Sequence, residues 1–270
     1  MRAALNKRIF VALALALGVN LATYSSPSVA AEPPRFTDQE RIEVEKIIRE
    51  YLLQHPEIIP EAVAELQRRE TIAAAANAKR AIAANQDRLI SDGISVVIGN
   101  PDGDVTLIEF YDYQCPYCRR MYKDVLRLAD EDENLRIVMK QLPIKDTPGE
   151  FPASLMAAVM AMAADEQGHF EVFHKNVFVA AGQGELSRER LFEIAASSGL
   201  DVQQLQIDME DEAIMDSIRD NLMLARDIGV SGTPSYVVGQ KIIVGARGYD
   251  VLKSAIEAER NLIKSAKPAQ

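Results

Sequence analysis

The stretch from Val105 to Cys118 reads VTLIEFYDYQCPYC, and its two halves ask for different backbones. Val105 to Tyr111 is a β-branched and aromatic run suited to a sheet interior, with Glu109 as its charged exception. After the cysteines, Arg119 to Asp130 carries Met121, Val125 and Leu128 at helical spacing. A buried strand therefore runs into a helix whose first turn holds Cys115, Pro116, Tyr117 and Cys118. At a helix start, free backbone N–H groups and the positive end of the helix dipole favour a thiolate, here at Cys115. Pro116 costs nothing there, because the N–H it lacks has no intrahelical acceptor. Cys118 lies one turn on, placed to form or resolve a disulfide. The thiolate is the reactive form, so a lowered pKa at Cys115 is what this placement supplies.

Outward from that stretch, Ile94 to Ile98 reads as a short strand, Gly99 to Gly103 as a turn, and Leu135 to Leu142 as a third strand. From Phe151 to Ile228 the pattern is helical, broken at Gly168, at Gly182 to Gly184 and at Gly199. Ser231 to Pro234 marks a turn, Ser235 to Val238 and Lys241 to Val244 form a hairpin, and Tyr249 to about Ser265 is a last helix. This order predicts an α/β fold: one sheet with helices on its faces, interrupted once by a helical insertion at about 150–228.

The N-terminal third has a different character. Arg2, Lys7 and Arg8, an apolar run from Ile9 to Leu21, and Ser28-Val29-Ala30 have the order of a secretory signal peptide, expected over 1–30 with cleavage near Ala30. The run is shorter than the roughly 20 apolar residues that span a bilayer. An exported chain works in an oxidising compartment. Thr37 and Glu40 have the spacing of a capping box, so a helix is expected from Asp38, ending near His55-Pro56. A second, long helix is expected from Glu61 to Leu89, where Ala, Glu, Gln and Arg dominate and the apolar stripe is thin. Residues 31–92 thus form a helical arm and residues 93–270 the globular domain. A helix so poor in large apolar residues needs a partner, and the readings left open are an oligomerising arm, an arm folded on its own domain, and a loose tether.

Composition narrows the chemistry. Loss of Arg2, Lys7 and Arg8 with the leader moves the net charge from −10 to −13. So acidic a surface, with no Trp, argues against binding a nucleic-acid backbone or stacking on bases. Two cysteines three apart do not make a disulfide scaffold. A zinc site needs further ligands, and only His55, His169 and His174 are available on scattered segments. A c-type haem attachment needs His where Arg119 stands. Neither a metal nor a cofactor is expected, and redox chemistry at the cysteine pair is.

Three stretches together are specific: Val105 to Arg120, Gly168 to His174 (GHFEVFH), and Gly229 to Ser235 (GVSGTPS). They resemble the DsbA family of bacterial periplasmic disulfide oxidoreductases over residues 94–265, and the arm resembles that of the subgroup related to the copper-sensitivity suppressor ScsC. The resemblance implies a thioredoxin-like fold with a helical insertion, a periplasmic location, protein substrates with cysteines and a membrane redox partner. It implies Cys115 as the attacking thiolate, Cys118 as the resolving thiol, and Thr233-Pro234 as the pair with the cis-proline that presents backbone to a bound client. An ordinary trans turn proline is the alternative. Glu109 matches the acidic residue buried beneath the disulfide, with Lys140 on the next strand as its expected partner in a proton relay; Pro116 and Tyr117 tune the thiol. Otherwise Glu109 points to solvent. Some members of the subgroup trimerise through the arm and act as isomerases, so a homo-oligomer, a trimer first, is expected. Met156, Met160 and Met162 invite a copper reading, but core packing is the better account.

Two function classes follow. The first is an enzyme, a disulfide isomerase or a DsbA-type dithiol oxidase. The second is an oligomeric holdase or copper-binding protein whose thiolates hold Cu(I), a soft ion. Pro-Tyr between the cysteines also occurs in glutaredoxins, and Thr before Pro234 is shared with isomerase-type members, so the direction of electron flow stays open.

Overall fold

The computed structural model describes residues 36–266; the signal peptide expected over 1–30 lies outside them. The chain divides into two units at Glu61.

In the first unit, Thr37 caps α1 (Asp38–Gln54). Its hydroxyl accepts from Glu40 N at 3.3 Å while the Glu40 carboxylate accepts from Thr37 N at 2.8 Å, so two otherwise orphaned N–H groups are satisfied. α1 buries none of its residues. Ile42 (67%), Ile47 (64%) and Leu53 (71%) stand exposed.

The second unit starts within α2 (Ile58–Ala84), which is followed by α3 (Gln86–Ile90). The single helix expected from Glu61 to Leu89 is broken at Asn85. That side chain donates from Nδ2 to the Ala81 carbonyl at 2.9 Å, beside the backbone bond from Asn85 N to the same carbonyl, and accepts from Arg88 Nη1 at 2.7 Å. Ile82 and Leu89 are buried with Phe110, Val138, Leu142 and Leu224. The change of character at Asp92-Gly93 therefore marks where the sheet begins, while the compact unit begins earlier, at Ala62.

Five strands, β1 (Val96–Gly99), β2 (Val105–Tyr111), β3 (Leu135–Gln141), β4 (Ser235–Val238) and β5 (Lys241–Val244), pair in the order β1-β3-β2-β4-β5. β2 and β3 are parallel and joined by α4 (Pro116–Glu131); the other pairings are antiparallel. Between β3 and β4 lie α5 (Ala153–Glu166), α6 (Phe170–Ala181), α7 (Arg188–Ser197), α8 (Val202–Asp208) and α9 (Glu212–Ile228), and α10 (Tyr249–Ala266) closes the chain. Alternation along the strands splits the core. Leu107, Tyr111, Ile137 and Met139 face one cluster, with α4, α5 and α6. Ile108, Phe110 and Val138 face the other, with Ile82, Leu89 and Leu224.

That alternation corrects one expectation. In the parallel β2/β3 register Glu109 lies beside Met139, and Lys140 beside Phe110. In-register neighbours point to the same face, so Glu109 and Lys140 point to opposite faces and form no pair. Lys140 is fully buried. Its ammonium pairs with Asp92 and donates to the Arg88 carbonyl at 2.8 Å. Burial alone would raise the Asp92 pKa, but Lys140 and Ser95 outweigh it and hold the carboxylate below its usual range. Lys140 thus fastens the segment after α3 to the sheet, away from the cysteines. Removing the partner of a buried charge is costly, so Asp92→Ala should lower stability by about 3 kcal/mol in urea unfolding. Adding Lys140→Met to Asp92→Ala should recover part of that loss.

Candidate active site

Cys115 is the N-cap of α4, in extended conformation, with Pro116 as the first helical residue. The turn that delivers it is built on Asp112, buried just after β2. The Asp112 carboxylate accepts from Gln114 N at 2.8 Å, Ile144 N at 2.7 Å, Lys145 N at 2.9 Å and Ser154 Oγ at 2.7 Å. It thereby ties the loop before the cysteines to the segment after β3 and to the start of α5. Burial raises its pKa against these four donors. Sequence reasoning missed Asp112; the only signal was a short polar side chain where a strand must turn into a helix.

Both cysteines are free thiols and buried. In its thiol form Cys115 donates from Sγ to the Thr233 carbonyl at 3.2 Å, and the Thr233–Pro234 bond is cis. β4 follows directly, antiparallel to β2. The segment Gly232 to Pro234 is thus brought against Cys115 by a strand that pairs with the one delivering it. Tyr117 is 53% exposed.

The electrostatics separate the two thiols. Cys115 is pulled down to about 5. The largest cause is the Cys118 thiol donating to the thiolate, followed among the stabilising groups by the Thr233 side chain and the backbone N–H groups of Cys118 and Tyr117; burial opposes them. Cys118 is pushed far up by burial, by its bond to Cys115 and by the charges of Glu109 and Cys115. One sulfur is a thiolate at neutral pH while the other keeps its proton.

Glu109 is buried, 3% exposed. Its carboxylate accepts from Tyr236 Oη at 3.0 Å. Burial pushes it up to about 8, with the Tyr236 bond pulling the other way. The alternative of a solvent-facing Glu109 does not hold, and its partner is Tyr236 rather than Lys140. Tyr236 was not singled out from the sequence, because the antiparallel β2/β4 register that sets it opposite Glu109 is not written in either segment. The remaining candidates lie elsewhere. His169 is the N-cap of α6, while His174 is buried with Nδ1 2.9 Å from Tyr113 Oη and its pKa pushed down to about 3 by burial. Met156, Met160 and Met162 pack in the core. Among the described residues no group of three or more His, Cys, Asp or Glu side chains is placed to hold a metal ion.

A five-stranded sheet with a Cys-x-x-Cys helix start facing a cis-proline segment defines a thioredoxin-like fold of the thiol–disulfide oxidoreductase class. The chain belongs to the DSBA-like thioredoxin domain family, whose sequence profile matches residues 106–257. Residues 40–72 match the N-terminal domain of copper resistance protein ScsC. A thioredoxin-like oxidoreductase from Silicibacter pomeroyi superposes with a TM-score of 0.61 at 38% identity, covering 66% of this chain and 98% of that one. A linker-deletion mutant of Proteus mirabilis ScsC gives 0.61 at 25% identity, over 86% of this chain and 99% of that one. BcfH of Salmonella enterica Typhimurium gives 0.70 at 25% identity, over 82% and 96%. Among curated sequences, a Na(+)/H(+) antiporter NhaA 1 from Salinispora arenicola is 31% identical over 160 residues, 59% of this chain. The chain spans about a quarter of the length of the antiporters it matches (24% for this one). No helix of the described residues is long and apolar enough to cross a membrane.

The lowered Cys115 pKa makes a direct prediction. Alkylation of reduced protein by iodoacetamide should modify Cys115 and not Cys118, with the rate rising through a midpoint near pH 5. A folded-state pKa below the unfolded one stabilises above the unfolded value and loses that contribution as pH falls through the folded value. The reduced protein should therefore lose this stabilisation as pH falls from about 9 to below about 5, and a Cys115→Ala variant should lack that part of the pH dependence.

Proposed function

We propose that this protein catalyses thiol–disulfide exchange on protein clients in the periplasm, as a disulfide isomerase. The observation that carries the reading is the contrast between a stabilised thiolate at Cys115 and a strongly protonated Cys118. Cys115 attacks a client disulfide and forms a mixed disulfide. The departing client sulfur takes the electron pair of the broken bond and then a proton. Two exits follow. Cys118 can give up its proton and attack Cys115, releasing a reduced client, or a second client thiolate can attack and expel Cys115. A low leaving-group pKa speeds expulsion, and a high Cys118 pKa leaves little nucleophile for resolution. The second exit is favoured, and it is the one that reshuffles disulfides without net oxidation.

Pro234 and Thr233 offer backbone to the client beside Cys115, while Glu109 accepts the Cys118 proton when resolution does occur. α1 supports an assembled form: its apolar residues Ile42, Ile47 and Leu53 stand exposed and are covered by copies of the same helix, as a trimer in this reading. Several catalytic faces then surround one client. A reducing membrane protein must keep the pair in the dithiol state, since an oxidised pair cannot open the cycle.

The test is the refolding of a scrambled, multi-disulfide protein. The wild type should accelerate it and Cys115→Ala should not. A variant lacking residues 32–57, which leaves Ile82 and Leu89 in the core, should sediment as a monomer, keep dithiol oxidation and lose most isomerisation. A Cys115/Cys118 pair trapped in vivo mainly as the disulfide would favour a dithiol oxidase instead.

A further inference from the structure

The face of the sheet beneath the cysteines holds a buried tyrosine that the reading above leaves without a task. Tyr236 lies two residues after the cis Thr233–Pro234 bond, directly opposite Glu109 in the antiparallel β2/β4 register. It is fully buried, and its hydroxyl donates to Glu109 Oε1 at 3.0 Å. Among the described residues this is the only hydrogen bond that the Glu109 side chain receives, and Oε2 takes none. We propose that Tyr236 is a positioning residue for disulfide exchange, holding Glu109 as a carboxylate with one oxygen free to take the proton from Cys118.

The groups around Glu109 make a single donor decisive. Facing it are Cys118 on α4, Tyr111 on β2 and Tyr113 just beyond, each coupled to the Glu109 charge; Asp124 of α4 acts on Tyr236. No cation stands among them, since Lys140 is on the opposite face of the sheet with Asp92. A carboxylate buried without a cation depends on hydrogen bonds to stay ionised. Tyr236 is itself pushed well above its ordinary value by burial and by Glu109, so it remains a phenol and can only donate to the carboxylate.

In the mixed disulfide, the Cys118 S–H bond breaks and its proton passes to Glu109 Oε2. The Cys118 sulfur attacks Cys115 Sγ, forms the Cys115–Cys118 bond and expels the client sulfur with the electron pair of the former mixed disulfide. The client is reduced and the pair oxidised. Glu109 later returns the proton to solvent or, in the reverse direction, to the departing Cys118. The inference rests on the proposed relay role of Glu109, and the experiment separates the two.

Full-length reduced protein is mixed rapidly with excess oxidised glutathione. The limiting first-order rate of the second glutathione release, which is Cys118 resolving the mixed disulfide, is then measured from pH 5 to 10.5. In the wild type this rate should rise with a midpoint near 8. In Tyr236→Phe, which keeps the ring, the carboxylate loses a charge-assisted donor. Its midpoint should move up by about one pH unit, giving a rate about tenfold lower at pH 7 and nearly equal above pH 10. Glu109→Gln should abolish the rise altogether. A Tyr236→Phe profile that superposes on the wild type, or one slowed equally at every pH as a packing defect predicts, overturns the role of Tyr236 while Glu109→Gln still flattens the curve. A Glu109→Gln profile that retains the wild-type midpoint overturns the relay itself, and Tyr236 with it.

Discussion

One sulfur holds the site together. Cys115 Sγ sits where the first turn of α4, with its N–H groups and the Cys118 thiol, meets the Thr233 segment, and these two are delivered by different parts of the fold. α4 starts there because β2 ends at Tyr111 and the Asp112 carboxylate gathers the turn. Thr233 is there because β4 pairs with β2. The helical insertion lies between, so residues far apart in sequence meet at a single atom. Stabilising a thiolate at that atom is what gives the fold its chemistry.

The same arrangement makes the two cysteines unequal. Cys118 donates to Cys115, which lowers one pKa and raises the other. Burial of Cys118 adds most to its rise, and the shared bond then drives the two values further apart. A thiol that attacks and leaves easily is coupled to one that resolves slowly unless a base helps it. Glu109 lies beneath Cys118 on the face that Lys140 does not share, which leaves Tyr236 as its hydrogen-bond donor. In the proposed cycle, attack, resolution and proton transfer are carried by β2, α4 and β4, the central elements of the sheet and its crossover.

Most of this frame is legible in the sequence, for local reasons. The apolar run at Val105, the helical spacing after Cys118, the capping box at Thr37 and the hairpin around Gly239 each specify their own backbone, and the structure places them within one or two residues. The glycine breaks separate α5, α6, α7 and α8, while the boundary between α8 and α9 at Met209 to Asp211 carries no glycine and was not expected. What fails depends on register and long-range pairing. Glu109 and Lys140 look like partners on adjacent strands, yet a one-residue offset in a parallel ladder puts them on opposite faces. Asn85 interrupts a helix that composition favours, at a residue whose side chain bonds to the Ala81 carbonyl and to Arg88. Ile82 and Leu89 join the core although their stripe is thin, since the second face of the sheet needs covering. Asp112 and Tyr236 were invisible because their importance comes from what the fold sets beside them.

The central claim is that Cys115 attacks and Cys118 resolves. It is tested most directly by trapping the intermediate: Cys118→Ala and Cys115→Ala variants are expressed in the exported form, quenched in acid, alkylated and separated by non-reducing electrophoresis. The account predicts disulfide-linked client adducts that accumulate on Cys118→Ala, dissolve with reductant and are absent from Cys115→Ala. Adducts carried by Cys118 in the Cys115→Ala variant, or none on Cys118→Ala, would contradict it.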